Sequence, residues 1–321
     1  MKTRVLYFPY IRVPESQWLA QMLLYWDQVS SIVPYEFTMN PDPLGPYMLN
    51  LLREGLVVQV MPGAYIYEIP RFFENFNGYI DGLGQEMDAR RERFARGETF
   101  QIHIEKMGDI GDALVRHQLA ASRQYPWYEV ERETANDFMS YLASALGQIP
   151  AVDASPVTDE KSYLERFVRV GVPRYALDRQ LEALRIQVLD QVLPVPKFAV
   201  EPAEIGAFKK RHREKLGDFR RRVERELIDA LDISEPALRR RHLELFFDEA
   251  QEHTREIQEE MRSAGWETAK AGLSVIAAVP GVSALVGLAG ALWNAISPAP
   301  QPVPRDFAYA AYAGSELARA N

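Results

Sequence analysis

Apolar and polar positions change rhythm along this chain of 321 residues. At the start, Arg4 to Phe8 is β-branched and aromatic and reads as a buried strand. Pro14-Glu15-Ser16 then opens a helix from Gln17 to Val29, in which Trp18, Leu19, Met22, Leu23 and Trp26 recur at three- and four-residue spacings. Ser31-Ile32-Val33, stopped by Pro34, is a second short strand. Gly45-Pro46 starts another helix that Gly55 closes, and Leu56 to Met61 is a third strand ending at Pro62-Gly63. This β-α-β-α-β order predicts a small parallel sheet with helices packed on it.

The middle is less regular. Ile69 to Arg96 reads as mostly helical, with EMDARRERFAR solvating its end. Thr99 to Glu105 alternates as a strand, placing Phe100, Ile102 and Ile104 on one face and Gln101, His103 and Glu105 on the other. Ile110 to Ala121 and Ala135 to Gly147 read as helices, with a strand at Trp127 to Val130 between them. Pro150 to Pro156 reads as a linker or a short edge strand, and Thr158-Asp159-Glu160 starts a further helix. From Pro202 the period is helical throughout, over Ala203 to Leu231 and Pro236 to Ser263. The short turn between these two, with Ser234 before Glu235-Pro236, predicts an antiparallel hairpin. The expected fold is α+β and predominantly helical. It comprises an N-terminal α/β domain over 1–200 and a helical domain over 201–321 that ends in an apolar tail.

That tail changes the picture most. Between Lys270 and Arg305 there is no charged residue, although 26% of the chain is charged. Such a run must be buried in its own protein, in another subunit or in lipid. Pro280-Gly281 divides it, and neither half reaches the roughly 20 residues that span a bilayer. A helical hairpin over 271–296 packed on the protein's own core is the plain expectation, and a membrane contact through 271–296 is the alternative. The N-terminus lacks the continuous apolar stretch of a secretory signal, which places the expected location in the cytoplasm. A net charge of −8 argues against a nucleic-acid partner, and the absence of cysteine removes disulfides and thiolate chemistry.

Residues able to carry chemistry are sparse. Nine Lys and Arg residues fall between Lys209 and Arg225. On a continuous helix Lys210, Arg213, Arg220 and Arg221 share a face suited to phosphate, but interleaved carboxylates make a solvated, salt-bridged surface the simpler reading. Asp27, Glu105, Asp153 and Asp159 stand near strand ends, where acids can converge on a divalent metal for hydrolysis. Asp159 after Thr158 is equally explained as a helix N-terminal residue. The five histidines include no pair at zinc-ligand spacing, and no nucleotide-binding or nucleophile motif occurs, so no cofactor is expected.

The run LYFPYIRVPESQWLAQMLLYWDQVSSIVP, followed by GLVVQVMP, FMSYLASALG, SPVTDE, LPVP and FKKRHREKLGDFRRRVE, resembles an uncharacterised bacterial domain-of-unknown-function family. The resemblance covers roughly residues 4 to 230. It implies an intracellular bacterial protein and, by analogy alone, an association with mobile elements or antiviral defence. It carries no catalytic residue across. The leading expectation is therefore a non-enzymatic interaction or effector protein with a protein partner or a second copy of itself. The alternatives are a metal-dependent nuclease on the N-terminal sheet and a membrane-perturbing effector acting through 271–296.

Overall fold

The computed structural model describes residues 4–160, 181, 184–185, 188–189, 191–193, 200–263 and 305–317. The chain is mixed α/β and predominantly helical, with a parallel four-stranded sheet near its start and helices toward its end. It divides into two compact units, Met1–Pro14 with Trp26–Ala176 and Glu15–Tyr25 with Leu177–Asn321. The division departs from a simple cut near residue 200. Helix α1 (Gln17–Tyr25) groups with the C-terminal helices, although it lies between two strands of the first unit.

In the first unit, β1 (Arg4–Tyr7), β2 (Gln28–Ile32), β3 (Val57–Val60) and β7 (Ala154–Val157) form a sheet in the order β3-β2-β1-β7. All three pairings are parallel, in registers that set Arg4 opposite both Gln28 and Ala154. Val5, Leu6 and Tyr7 of the interior strand are buried, which is the pattern of a strand covered on both faces. Of the expected linker or edge strand over Pro150 to Pro156, the last three residues and Val157 form the edge strand β7. Helices α2 (Tyr35–Met39) and α3 (Gly45–Arg53) follow β2. Gly55 sits at φ +67, with Leu56 N–H bonded to Leu51 C=O and Gly55 N–H to Leu52 C=O. This closes α3 by the two-bond motif that a left-handed residue permits.

The helical stretch from Ile69 resolves into α4 (Phe72–Asp81) and α5 (Glu86–Ala95), separated at Gly82-Leu83-Gly84. After β4 (Thr99–His103) come α6 (Ile104–Met107) and α7 (Ile110–Arg116). The expected strand therefore stops two residues early, at His103. The expected helix to Ala121 also stops early, and Ala120–Gln124 is strand β5, paired antiparallel with β6 (Trp127–Glu131) in a second sheet of order β4-β6-β5. Gln118 at φ +61 ends α7 with the same pair of backbone bonds that Gly55 makes, Leu119 N–H to Leu114 C=O and Gln118 N–H to Val115 C=O. Pairing with β6 outweighs the helical composition of Leu119-Ala120-Ala121.

Helix α8 (Arg132–Leu146) packs through Phe138, Met139, Leu142 and Leu146 into the core shared with Phe72, Phe76 and Ile102. Its start is capped by Glu131, whose carboxylate accepts bonds from Glu133 N–H, Thr134 N–H and Thr134 Oγ1 while Arg93 Nε donates at 2.9 Å. Beneath it, Arg90 and Asp137 are wholly excluded from water and meet at 2.8 Å. Arg90 also bonds Glu86 and Thr134, and Tyr79 donates to Asp137 at 2.8 Å.

In the second unit, α9 (Pro202–Arg211), α10 (Arg213–Asp232), α11 (Pro236–Ser263) and α12 (Ala308–Glu316) surround Phe208, Phe219, Phe246 and Phe307. The hairpin of α10 and α11 is as expected, but the helix before it is interrupted at His212, with φ −109 and ψ 25. The His212 ring is stacked on Tyr312 at 4.9 Å and lies 2.7 Å from Glu316 Oε1. This tertiary anchor fixes the position of the break. Helix α1 is held here by Gln21 Nε2 bonding Leu189 C=O at 3.1 Å, Tyr25 Oη bonding Glu224 at 3.0 Å and Tyr309 Oη bonding Leu24 C=O at 2.6 Å. The expected helix after Thr158 and the apolar run 271–296 lie outside the described residues.

Breaking a buried ion pair by removing one partner strands the other charge. Arg90→Ala should cost roughly 3–5 kcal/mol in urea unfolding. The paired change Arg90→Met with Asp137→Leu should recover at least half of that loss, and equal destabilisation by both would refute the role assigned to the pair.

Candidate functional site

The first unit contains a cavity of about 670 Å³. Its wall is built from the segment that follows β1 (Pro9 to Arg12), from Phe37, Pro43 and Leu44 after β2, from all of β4, and from Lys106, Trp127 and Met139. The cavity therefore stands at the carboxyl end of β1, beside the point where the sheet order reverses from β1-β2-β3 to β1-β7. Open α/β sheets bind their ligands at such points. Its volume is that of a small-molecule site.

Four aromatic rings, Tyr10, Phe37, Phe100 and Trp127, give the wall its apolar character. Trp127 meets the His103 ring edge-on at 5.1 Å and 83°, Phe37 meets it at 6.2 Å, and Tyr10 lies 5.8 Å from Phe100. Tyr10 Oη donates to Glu160 at 2.8 Å, and burial with that carboxylate raises the phenol to about 12. Arg12 is exposed on the same wall.

Two buried bases occupy the junction of β4 and α6. His103 Nδ1 accepts the Glu105 N–H at 3.2 Å, capping α6, so the ring proton belongs on Nε2. That Nε2 lies 3.1 Å from Glu36 Oε1, and it has no other partner among the described residues. Burial lowers the His103 pKa, while Glu36 and Glu105 pull in the opposite direction. Lys106 is 3% exposed. Its ammonium group has a neutral neighbour, the Pro9 carbonyl at 3.3 Å, and no carboxylate pairs with it among the described residues. Burial alone drives it from 10.5 down to about 7.

The acids expected from the sequence do not gather. Asp27 immediately precedes β2 and Asp153 immediately precedes β7, so both stand at the amino-terminal edge of the parallel sheet. Asp159 follows β7 at the carboxyl edge and accepts the Tyr7 hydroxyl at 3.0 Å. Glu105 accepts the Tyr35 N–H at 2.7 Å and so caps α2. Asp153, at φ +39, occupies a left-handed turn position that aspartate tolerates better than most residues. Among the described residues no three His, Asp or Glu side chains are grouped as a metal ion requires.

The basic residues are likewise divided. Lys210 and Arg213 are exposed on either side of the break at His212, and Arg221 pairs with Asp218. Arg220 turns inward instead. Its Nε donates to Tyr25 C=O at 2.8 Å, and its guanidinium lies over the Tyr25 ring. It takes no part in a common cationic face.

His103 and Lys106 were hidden in the sequence. The one available signal was that Lys106 interrupts an apolar series through Ile102, Met107, Ile110 and Leu114. No family model, curated protein or solved structure matches the chain. The site is therefore read from its own geometry.

Because Lys106 is lowered on folding, the unfolded chain carries a proton there that the folded chain lacks between about 7 and 10.5. Stability should rise with pH across that window, by up to about 1.4 kcal/mol per unit of pKa difference. Urea midpoints of the protein should climb from neutral to alkaline pH relative to those of Lys106→Met. Parallel pH profiles for the two would rule out an amine titrating near neutrality.

Proposed function

We propose that the first unit is a binding site for a small organic molecule with a flat apolar body and an anionic end. The observation that carries this is the cavity of about 670 Å³ at the carboxyl end of β1, walled by aromatic rings and by buried His103 and Lys106. Rings at this density favour a planar ligand. The guanidinium of Arg12 supplies the charge complement for a carboxylate or phosphate. The polar groups are few, as such sites require, and they fix orientation rather than affinity.

A second reading belongs to the helical unit and rests on a separate observation. Ile228 of α10 and Leu238 and Leu245 of α11 are more than half exposed. Leu238 and Leu245 are seven residues apart and share a helix face. Apolar groups so displayed suit a protein partner or a second copy of the chain. On this reading the protein is an intracellular bacterial interaction protein, with defence or mobile-element association as its setting. The membrane-perturbing alternative through 271–296 falls outside the described residues, among which no helix is long and apolar enough to cross a membrane.

The ligand reading is tested by calorimetric titration of the full-length protein with 2-naphthoate and with its neutral alcohol analogue. Arg12→Ala should weaken the carboxylate by about tenfold, near 1.4 kcal/mol, and leave the alcohol unchanged. Absence of binding by either probe would reject the site. For the helical face, light scattering across micromolar concentrations should show the mass falling to that of one chain when Leu238 and Leu245 are both changed to glutamate. A wild-type protein that is already a single chain throughout would reject self-association.

A further inference from the structure

We propose that Lys106 forms an imine with a carbonyl compound, an aromatic aldehyde or ketone, held in the cavity beside β4. The inference rests on the ligand reading above and names the class of ligand.

Three features of the site support it. The first is the setting of the amine. An ammonium group in a fully buried site needs a carboxylate close by, and Lys106 has the Pro9 carbonyl oxygen instead, at 3.3 Å. A neutral amine satisfies that arrangement. One N–H donates to the carbonyl, and the nitrogen keeps its lone pair. Burial, which holds this amine near neutrality, is the standard means of making a lysine nucleophilic.

The second is the neighbouring base. His103 Nε2–H is buried and lines the same cavity, with the Glu36 carboxylate at 3.1 Å beside it. A carbonyl oxygen entering the cavity would share this donor and be polarised by it, next to the Lys106 amine. Among the described residues, the charged groups beside this pair are Glu36 and Glu105, directed at His103 and at the Tyr35 N–H, and the exposed Arg12. None of them pairs with Lys106.

The third is the cavity itself, which holds an aromatic body against Tyr10, Phe37, Phe100 and Trp127. In the step, the Nζ lone pair bonds to the carbonyl carbon and the C=O π pair moves to oxygen. One N–H proton transfers to that oxygen to give a hydroxyl. The hydroxyl departs with a proton from solvent as one water molecule, the C=N bond forms, and nitrogen returns its last proton to solvent. No oxidant or reductant is required.

The full-length protein is incubated at neutral pH with 4-carboxybenzaldehyde and cyanoborohydride, which reduces imines as they form, and the adducts are located by peptide mass mapping. In parallel, 4-(hydroxymethyl)benzoate, which lacks the carbonyl, is titrated by calorimetry. We expect adduct at Lys106 to accumulate about tenfold or more faster than at any other lysine, and urea-unfolded protein to lose that selectivity. Lys106→Met should retain binding of the alcohol and lose the selective adduct. Alcohol binding with adducts spread evenly over surface lysines would overturn the imine while sparing the ligand site. Failure of both probes would overturn the ligand site and the imine with it.

Discussion

Two opposite charges with no water around them, Arg90 and Asp137, set the arrangement of the first unit. Neither can be buried alone, so α5 and α8 must meet where the guanidinium reaches both the carboxylate and Thr134. Glu131 extends the same constraint. Burial pushes its carboxyl pKa upward, but bonds from Arg93, Thr134 and Glu133 prevail and keep it below the usual range. The last residue of β6 is thereby bound to the first turn of α8 and to α5. Met139 on α8 and Trp127 on β6 are two walls of the cavity, so the polar network behind them fixes the shape of the space in front.

The cavity shows the opposite electrostatic logic. Behind α8 every buried charge has its counter-charge. Beside β4, burial outweighs the opposing pull of Glu36 and Glu105 on His103 and acts alone on Lys106, and both are held toward their neutral forms. Neutral bases in an apolar wall cost stability that a structural role would not require, and strained electrostatics of this kind concentrate where a protein meets its ligand. The β4–α6 junction provides the local device. Nδ1 of His103 serves as the helix cap and leaves the other ring nitrogen facing the site.

How far the sequence revealed this depends on where punctuation residues fall. The strands β1 to β3 were readable in order because Pro34, Gly45-Pro46, Gly55 and Pro62-Gly63 punctuate the segment, but β2 begins at Gln28, three residues before the expected Ser31, where the helical spacing of α1 ran on through Gln28 and Val29. β5 was not, because the left-handed residue ending α7 is Gln118 and carries no glycine signal. The break at His212 comes from Tyr312 and Glu316, about a hundred residues away, which local pattern does not register. Glu105 falls in α6, beyond the end of β4, and for the other acids proximity to a strand end says nothing about which edge of a parallel sheet it is. Asp27 and Asp153 lie at one edge and Asp159 at the other. Lys106 was invisible because lysine is read as exposed unless its neighbours say otherwise.

Helix α1 belongs to the helical unit although it is made among the first strands. Its anchors, Glu224, Arg220 and Tyr309, emerge from the ribosome some two to three hundred residues later. At ordinary rates of synthesis that delay is on the order of tens of seconds. Throughout it, the bonds from Tyr25 to Glu224, from Arg220 to Tyr25 and from Tyr309 to Leu24 are absent. The polar attachment of α1 to the helical unit is thus among the last features of the chain to form.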